Sequence, residues 1–154
     1  MPSCFRIVKE RFAYDAFSGE GAYEFGGRWN SPGFRVVYTA ESLALACLEM
    51  LVHLDHSALL SSYVYVEAKF NGRLVKNVEV ITTLPADWHR SQGSIELQSI
   101  GDGWIGSGKS AILKVPSAVI PNSSNYLINP AHARFADIEM SSPAPIDFDP
   151  RLKN

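Results

Sequence analysis

The chain has 154 residues, of which 46% are apolar and 19% are charged, and its formal net charge is −2. This composition is sufficient for an ordinary hydrophobic core and excludes an intrinsically disordered chain. The near-neutral charge also argues against a protein that attracts nucleic acid or acidic membranes through its overall field.

The length fits a single domain over residues 1–154. We expect a cytoplasmic protein, because the sequence has neither an N-terminal apolar segment typical of a signal peptide nor a stretch of membrane-spanning length. Cys4 and Cys47 have no partner at metal-ligand spacing, so we interpret them as free thiols in a reducing compartment and expect no metal site.

The first elements in chain order are a strand, a loop and a second strand. Residues 5–9 predict a short strand. Residues 14–33 contain five glycines and one proline, which predicts a long ordered loop of the kind that often carries function. The apolar run over residues 34–38 predicts a buried strand that ends at Tyr38.

A helix should follow, from about Thr39, a possible N-cap, to about His53. Its 3.6-residue periodicity places Glu49 opposite the predicted core side. A carboxylate on a mostly apolar helix needs a partner, because charged groups are rarely buried alone. The side chains predicted to face the core are Leu43, Cys47, Met50, Leu51 and Leu54.

The second half of the chain predicts more strand than helix. Residues 63–70 alternate, and Asn71-Gly72 is typical of a hairpin turn into a second strand that reaches about Val80. This pattern favours an α+β fold built mainly on antiparallel sheets with a few helices. Further short helices are predicted at 84–88 and 94–100, and further strands at 111–115, 125–129 and 134–140.

Residues 103–110 match the phosphate-loop pattern letter for letter, but the flanking sequence does not support it. That pattern binds phosphate only between a buried strand and the N-terminus of a helix. Here a polar segment over residues 96–102 precedes it, and an apolar run stopped by Pro116 follows it. We therefore interpret the segment as a glycine-rich turn that leads into a strand.

Several separated motifs resemble the RES-domain family, the toxins of bacterial toxin–antitoxin pairs, and the similarity extends from Phe5 to Leu152. One departure is Ala133, which follows His132 where many members have proline. The motifs are Gly26-Gly27-Arg28-Trp29-Asn30, Tyr38-Thr39, Glu49, Gly101-Asp102-Gly103-Trp104, Val115-Pro116-Ser117 and Asn125-Tyr126-Leu127-Ile128-Asn129-Pro130-Ala131-His132.

The resemblance implies an ADP-ribosyltransferase-like fold and an enzyme, an NAD⁺ glycohydrolase or phosphorylase, whose activity arrests growth. The substrate would be NAD⁺ and inorganic phosphate a possible co-substrate, with no permanently bound cofactor. The resemblance also implies a cognate antitoxin of the Xre helix-turn-helix type and a homodimer. The implied catalytic residues are Arg28, Tyr38, Glu49 and Ser117, and the implied substrate-binding residues add Trp29 and Asn129.

The implied chemistry suits these residue types. Cleavage of the nicotinamide–ribose bond leaves oxocarbenium-like charge on the ribose, which the carboxylate of Glu49 would stabilise. Nicotinamide leaves as a neutral base, so no general acid is needed. The guanidinium of Arg28 suits a pyrophosphate. Tyr38 could stack on nicotinamide or bond its amide, and Ser117 could hold a ribose hydroxyl or position the acceptor.

Two other functions stay open. The chain could transfer ADP-ribose to a specific host protein, or it could be a catalytically silent module that docks its antitoxin. Each residue also has an ordinary structural interpretation, which prevails when that residue is considered alone. Trp29, for example, is better explained as a core residue that lies close enough to Arg28 to border a pocket.

Overall fold

The computed structural model describes residues 1–54, 62–90 and 94–152. Its helices are α1 (Glu20–Phe25), α2 (Leu43–His53), α3 (Val78–Ile81) and α4 (Ile95–Ser107). Its strands are β1 (Ser3–Lys9), β2 (Val37–Ala40), β3 (Tyr63–Lys69), β4 (Val75–Asn77), β5 (Ile112–Pro116), β6 (Ser124–Ile128), β7 (Glu139–Met140) and β8 (Ala144–Ile146).

The strands form one mixed sheet in the order β4-β5-β6-β2-β1-β3-β7, and β8 also pairs with β3. The β4–β5 pair is parallel, and the other pairs are antiparallel. The prediction of an α+β fold with mainly antiparallel pairing is therefore confirmed. Strand β2, which carries Tyr38, lies in the middle of the sheet.

Both faces of the sheet are covered, because neighbouring residues of one strand belong to different core clusters. Ile112 of β5 and Ile128 of β6 pack in one cluster with Phe70. Leu113 and Leu127, the next residues along those strands, pack in the other cluster. That second cluster also contains Trp29, Leu97 and Trp104, so it fixes α4 and the loop that carries Trp29 to the sheet.

The predicted start of the second helix is wrong. Thr39 belongs to strand β2, where its Oγ1 donates to the carbonyl of Tyr126 at 2.7 Å. Helix α2 begins after Ser42, whose side chain accepts a hydrogen bond from Leu45 N at 3.0 Å. Leu51 is buried as predicted, but its buried companion is Leu45, one turn before Glu49.

The predicted hairpin at Asn71-Gly72 is also wrong. The Asn71 side chain accepts from Arg73 N at 2.9 Å and caps a 3₁₀ turn, Gly72–Leu74. The following strand β4 does not return along β3 but pairs in parallel with β5. Its ladder is completed by residues 35 or more positions away, which a local turn pattern cannot reveal.

The phosphate-loop pattern lies at the C-terminal end of helix α4, so its rejection is confirmed. The helix runs past the predicted end at residue 100 and stops at Gly108, whose φ is +62°. A helix C-terminus presents carbonyl groups, which repel phosphate. Gly103 and Gly106 are helical, which corrects their interpretation as turn residues.

Three other predicted elements differ in the structure. The predicted loop over residues 14–33 contains helix α1. Residues 85–90 form hydrogen-bonded turns instead of a helix. The predicted strand at 134–140 is a 3₁₀ turn, Phe135–Asp137, followed by only the two residues of β7. No helix in the described part of the chain is long and apolar enough to cross a bilayer.

Candidate active site

A cavity of about 710 Å³ opens beside the centre of the sheet. Its lining includes Arg28 from the loop after α1, Tyr38 from β2 and Glu49 from α2. Three of the four predicted catalytic residues therefore converge from a loop, a strand and a helix. The volume lies in the range of small-molecule sites.

Glu49 is held by two neutral hydrogen-bond donors. Its Oε2 accepts from Ser117 Oγ and its Oε1 accepts from Asn125 Nδ2, each at 2.8 Å. Burial raises the pKa of the Glu49 carboxyl, whereas the bonds from Ser117 and Asn125 and the charge of His53 act in the opposite direction. No described residue forms an ion pair with Glu49, so within the described ranges its carboxylate is held by neutral donors alone.

Ser117 lies behind Glu49 and is 5% exposed. Its hydroxyl donates to Glu49 and accepts from the backbone N–H groups of Val119 and Ile120 at 3.1 and 3.2 Å. These contacts fix the hydroxyl, and Ser117 is not among the residues that line the cavity. Its position supports a role in orienting the carboxylate and not the predicted contact with a ribose hydroxyl.

Asn125 was not predicted as a site residue from the sequence, whereas Asn129 was. The amide of Asn125 bridges Glu49 and the carbonyl of Thr39, at 2.8 and 3.1 Å, and it lines the cavity. Asn129 is buried outside the lining, where its side chain accepts from Ala131 N at 3.0 Å. In this structure Asn129 stabilises a turn outside the cavity lining, and its role in substrate binding stays a prediction.

Arg28 lies on residues 26–31, which we call the arginine loop. Gly27 N donates to Asn30 O at 2.9 Å and closes the loop, and Gly26 adopts a φ of +73°, which favours glycine. The guanidinium of Arg28 donates through Nη1 to the carbonyl of Trp88 at 3.1 Å. Partial burial lowers the pKa of Arg28, but an arginine remains charged at physiological pH.

Tyr38 uses its hydroxyl to hold the arginine loop. The hydroxyl donates to Asn30 Oδ1 at 2.6 Å and accepts from Trp29 N at 3.0 Å. Burial raises the pKa of this phenol, so it stays protonated. Because both bonds are made within the protein, the predicted hydrogen bond from Tyr38 to a substrate amide is not favoured. The ring still lines the cavity, and stacking on a ligand remains a prediction.

Asn30 fixes the interior of the loop. It is fully buried, and its amide donates to the carbonyls of Ala22, Ser31 and Phe34 at 3.0, 3.0 and 3.2 Å. One side chain thus binds the loop to α1 and to the segment before β2. Trp29 borders the cavity, but its side chain is only 2% exposed. This burial matches the alternative interpretation of a core residue, and contact of Trp29 with substrate stays a prediction.

Helix α4 holds the arginine loop from the other side through residues on one helical face. Gln98 Nε2 donates to the carbonyls of Gly27 and Asn30, each at 3.2 Å. Gly101 packs directly on the loop, since a Cβ there would lie 1.6 Å from the carbonyl oxygen of Trp29. Asp102 accepts from Ser31 N at 3.0 Å and also from the Ser31 hydroxyl.

A second arginine, Arg6, also lines the cavity and was not predicted. Its Nε donates to the carbonyl of Ala16 at 2.6 Å and its Nη1 to that of Tyr38 at 3.0 Å. Burial lowers the pKa of Arg6 and the charge of Asp15 raises it, but no described carboxylate lies within ion-pair distance. The available signal was a charged residue between the apolar residues Phe5 and Ile7 of a predicted strand.

The chain belongs to the RES-domain family, whose model matches residues 3–149. It is 38% identical over 154 residues to the Prs ADP-ribosylating toxin of Sphingobium sp. strain YBL2, an alignment that covers 97% of this chain and 96% of the relative. It is 35% identical over 151 residues to Toxin Res of Yersinia enterocolitica, covering 97% of this chain and 98% of that toxin. The predicted resemblance is confirmed.

More distant similarity links the chain to mycobacterial proteins. The NAD(+) phosphorylase MbcT of Mycobacterium tuberculosis is 34% identical over 95 residues, which cover 60% of this chain and 50% of that protein. The crystal structure of the M. tuberculosis MbcT–MbcA toxin–antitoxin complex contains a chain that superposes with a TM-score of 0.71 at 21% identity. The superposition covers 98% of this chain and 86% of that one, so the two share a fold.

Proposed function

We propose that this protein is the toxin of a toxin–antitoxin pair and that it degrades NAD⁺ by cleaving the bond between nicotinamide and ribose. The observation that carries the proposal is the placement of Glu49 and Arg28 in one cavity, with Glu49 held only by neutral donors. The names of the relatives support it, since two describe toxins and another describes an NAD(+) phosphorylase.

Different residues bind the substrate and assist cleavage of its bond. Arg28 and Arg6 provide two guanidinium groups for the pyrophosphate of the dinucleotide. Glu49 faces the ribose, where its carboxylate stabilises the positive charge that develops as the bond to nicotinamide breaks. Nicotinamide keeps the bonding electron pair and leaves neutral, so the reaction requires one carboxylate and no general acid.

The acceptor of the ADP-ribosyl group decides the reaction class. Water adds its oxygen to the ribose carbon and releases one proton, which gives ADP-ribose, and phosphate would give ADP-ribose phosphate. The name of MbcT favours phosphate. A protein acceptor is the second candidate, because the Sphingobium relative is named an ADP-ribosylating toxin and its alignment covers 97% of this chain, against 60% for MbcT.

Chromatography of the products tests both points. Purified protein is incubated with NAD⁺ in buffers with and without phosphate and with a cell extract, and Glu49→Gln serves as the inactive control. We expect nicotinamide release by the wild type in buffer alone or on addition of one acceptor. A phosphorylated ADP-ribose identifies phosphorolysis, and a labelled protein band identifies transfer. If the wild type releases no nicotinamide under any of these conditions, the proposed activity is wrong.

The proposed partner is a cognate antitoxin of the Xre type that covers the cavity, and we propose a homodimer within that complex and action in the cytoplasm. The toxin–antitoxin complex of the structural neighbour supports the partner. Expression of the toxin alone should arrest growth, and co-expression of the antitoxin should restore it. A silent docking module would leave growth unchanged, and its phenotype would not depend on Glu49→Ala.

A further inference from the structure

Gln98 has no role in the proposed mechanism, although it lines the cavity and is bonded to the arginine loop. It lies on helix α4 next to the buried Leu97, and its side chain reaches the wall of the cavity. Its amide nitrogen donates to two carbonyls of the arginine loop, those of Gly27 and Asn30. The side chain therefore has a fixed position relative to Arg28.

The orientation of the amide follows from its partners. Backbone carbonyl oxygens only accept hydrogen bonds, so the two carbonyls, each at 3.2 Å, require the NH₂ group of Gln98 on their side. The side-chain oxygen must then point away from the loop. Rotation of the amide by 180° would place three oxygens together, which makes the alternative orientation unfavourable.

The Oε1 atom of Gln98 accepts no hydrogen bond from any residue that the structure describes. Every fully buried polar side-chain atom in the described ranges does have a partner. The oxygen is therefore not fully buried, and Gln98 is among the residues that line the cavity. An acceptor held in this way could serve a ligand in the cavity, next to the arginine loop and separate from Glu49.

We propose that Gln98 is a substrate-recognition residue whose oxygen accepts a hydrogen bond from the NH₂ group of a heteroaromatic ring of the dinucleotide. Both rings of NAD⁺ carry such a donor, the carboxamide of nicotinamide and the 6-amino group of adenine. The inference rests on the proposed function for the identity of the substrate. A site built to accept from an NH₂ group rejects an analogue that presents an oxygen there.

Two analogues separate the two donors. Nicotinic acid adenine dinucleotide replaces the carboxamide by a carboxylate, and nicotinamide hypoxanthine dinucleotide replaces the 6-amino group by a carbonyl. We expect the wild type to prefer NAD⁺ over one of them by about tenfold or more in kcat/KM. The analogue with the larger effect identifies the ring that Gln98 contacts.

Three substitutions separate recognition from support of the loop. Gln98→Lys keeps a donor for the loop carbonyls but has no acceptor, Gln98→Glu keeps an acceptor but has no donor, and Gln98→Met has neither. We expect the preference for NAD⁺ over the discriminating analogue to fall to about twofold or less in Gln98→Lys and Gln98→Met. Gln98→Glu should keep the preference while its overall activity falls. Ser99→Ala, at an exposed neighbouring position on α4, should leave both unchanged.

The ratio between substrates reports recognition, because a purely supporting role lowers the activity toward all three dinucleotides equally. Unchanged ratios for both analogues in Gln98→Lys and Gln98→Met would overturn the inference. The same ratios can be measured as Kd values by calorimetry, without turnover. If the wild type binds NAD⁺ but releases no nicotinamide, the proposed function fails while the Kd ratios still decide the role of Gln98. If it binds none of the three, both proposals are wrong.

Discussion

The two sides of the cavity are built in different ways. The backbone of the arginine loop is held by side chains: Trp29 N donates to the Tyr38 hydroxyl, and the amides of Asn30 and Gln98 donate to loop carbonyls. The opposite side, which we call the carboxylate cluster, is Glu49, Ser117 and Asn125, and its two inner bonds join side chain to side chain. The arginine loop fixes the position of the Arg28 guanidinium. In the carboxylate cluster, the hydrogen bonds from Ser117 and Asn125 lower the pKa of Glu49. Substitutions on the first side should affect stability and binding, and those on the second should affect the reaction.

The largest effect on rate is expected from Glu49→Gln. The amide has nearly the same shape but lacks the negative charge that faces the ribose, so nicotinamide release should fall by about a hundredfold or more. The midpoint of urea unfolding should stay close to that of the wild type. Glu96→Gln, an exposed position on α4, is the control and should keep full activity. A Glu49→Gln variant with a near-normal rate would remove Glu49 from the mechanism.

The largest effect on stability is expected from Gly101→Ala. The added Cβ would overlap the carbonyl of Trp29, so α4 and the arginine loop must separate, at a loss of about 3 kcal/mol in the free energy of unfolding. Gly103→Ala is a matched control on the same helix, because its Cβ would meet open space. That control should gain about 0.5–1 kcal/mol from helix propensity. Urea denaturation of both variants decides the matter, and equal stabilities would refute the close packing.

A smaller effect is expected from Tyr38→Phe. The hydroxyl leaves Trp29 N and Asn30 Oδ1 without a partner, which should lower the free energy of unfolding by about 1–3 kcal/mol and raise KM more than it lowers kcat. Combining Tyr38→Phe with Asn30→Ala should give less than the sum of the two losses, because they disrupt one network. Tyr14→Phe, at a tyrosine that is 87% exposed, should change neither quantity. Strictly additive losses would contradict a shared network.

The smallest effect is expected from Ser117→Ala, and it should appear as a change in pH dependence. The hydroxyl stabilises the charged form of Glu49, so its removal raises the pKa of that carboxyl further. Activity requires the ionised carboxylate. In the pH profile of kcat/KM, the rise on the acidic side, which we call the acid limb, should therefore move to higher pH, and kcat/KM should fall by about threefold to tenfold at neutral pH.

Two asparagine variants sharpen the same test. Asn125→Ala should move the acid limb in the same direction as Ser117→Ala, because it also removes a donor to Glu49. Asn129→Ala should leave the limb unchanged, since that residue lies outside the cavity lining. A shift of the limb in Asn129→Ala but not in Asn125→Ala would reverse our assignment of the two residues.

The sequence predicted the elements that local pattern determines. The strands around Tyr38 and over residues 125–129 and the helix that carries Glu49 all exist. The hairpin at Asn71-Gly72 failed because β4 finds its partner in β5, which is distant in the chain. The end of β2 was misplaced because Thr39 pairs with Tyr126 in the ladder, and a possible N-cap residue looks the same in either setting.

The sequence predicted the site residues that belong to a recognisable motif. It was less informative where the pairing register of the strands decides which residue reaches the site. Asn125 and Asn129 are four positions apart in the sequence, so a strand would direct both side chains to the same face. Only the register of β6, in which Asn125 lies opposite Ala40, selects Asn125 as the partner of Glu49. Similarly, no local pattern shows that the hydroxyl of Tyr38 is already used by Asn30 and Trp29.

Titration of NAD⁺ into Arg28→Ala and Glu49→Gln by calorimetry tests most directly whether the two sides have separate tasks. We expect Glu49→Gln to bind NAD⁺ within about threefold of the Kd of a wild type measured under non-turnover conditions, and Arg28→Ala to bind at least about tenfold more weakly. Equal losses of affinity in the two variants, or full affinity in Arg28→Ala, would contradict this expectation.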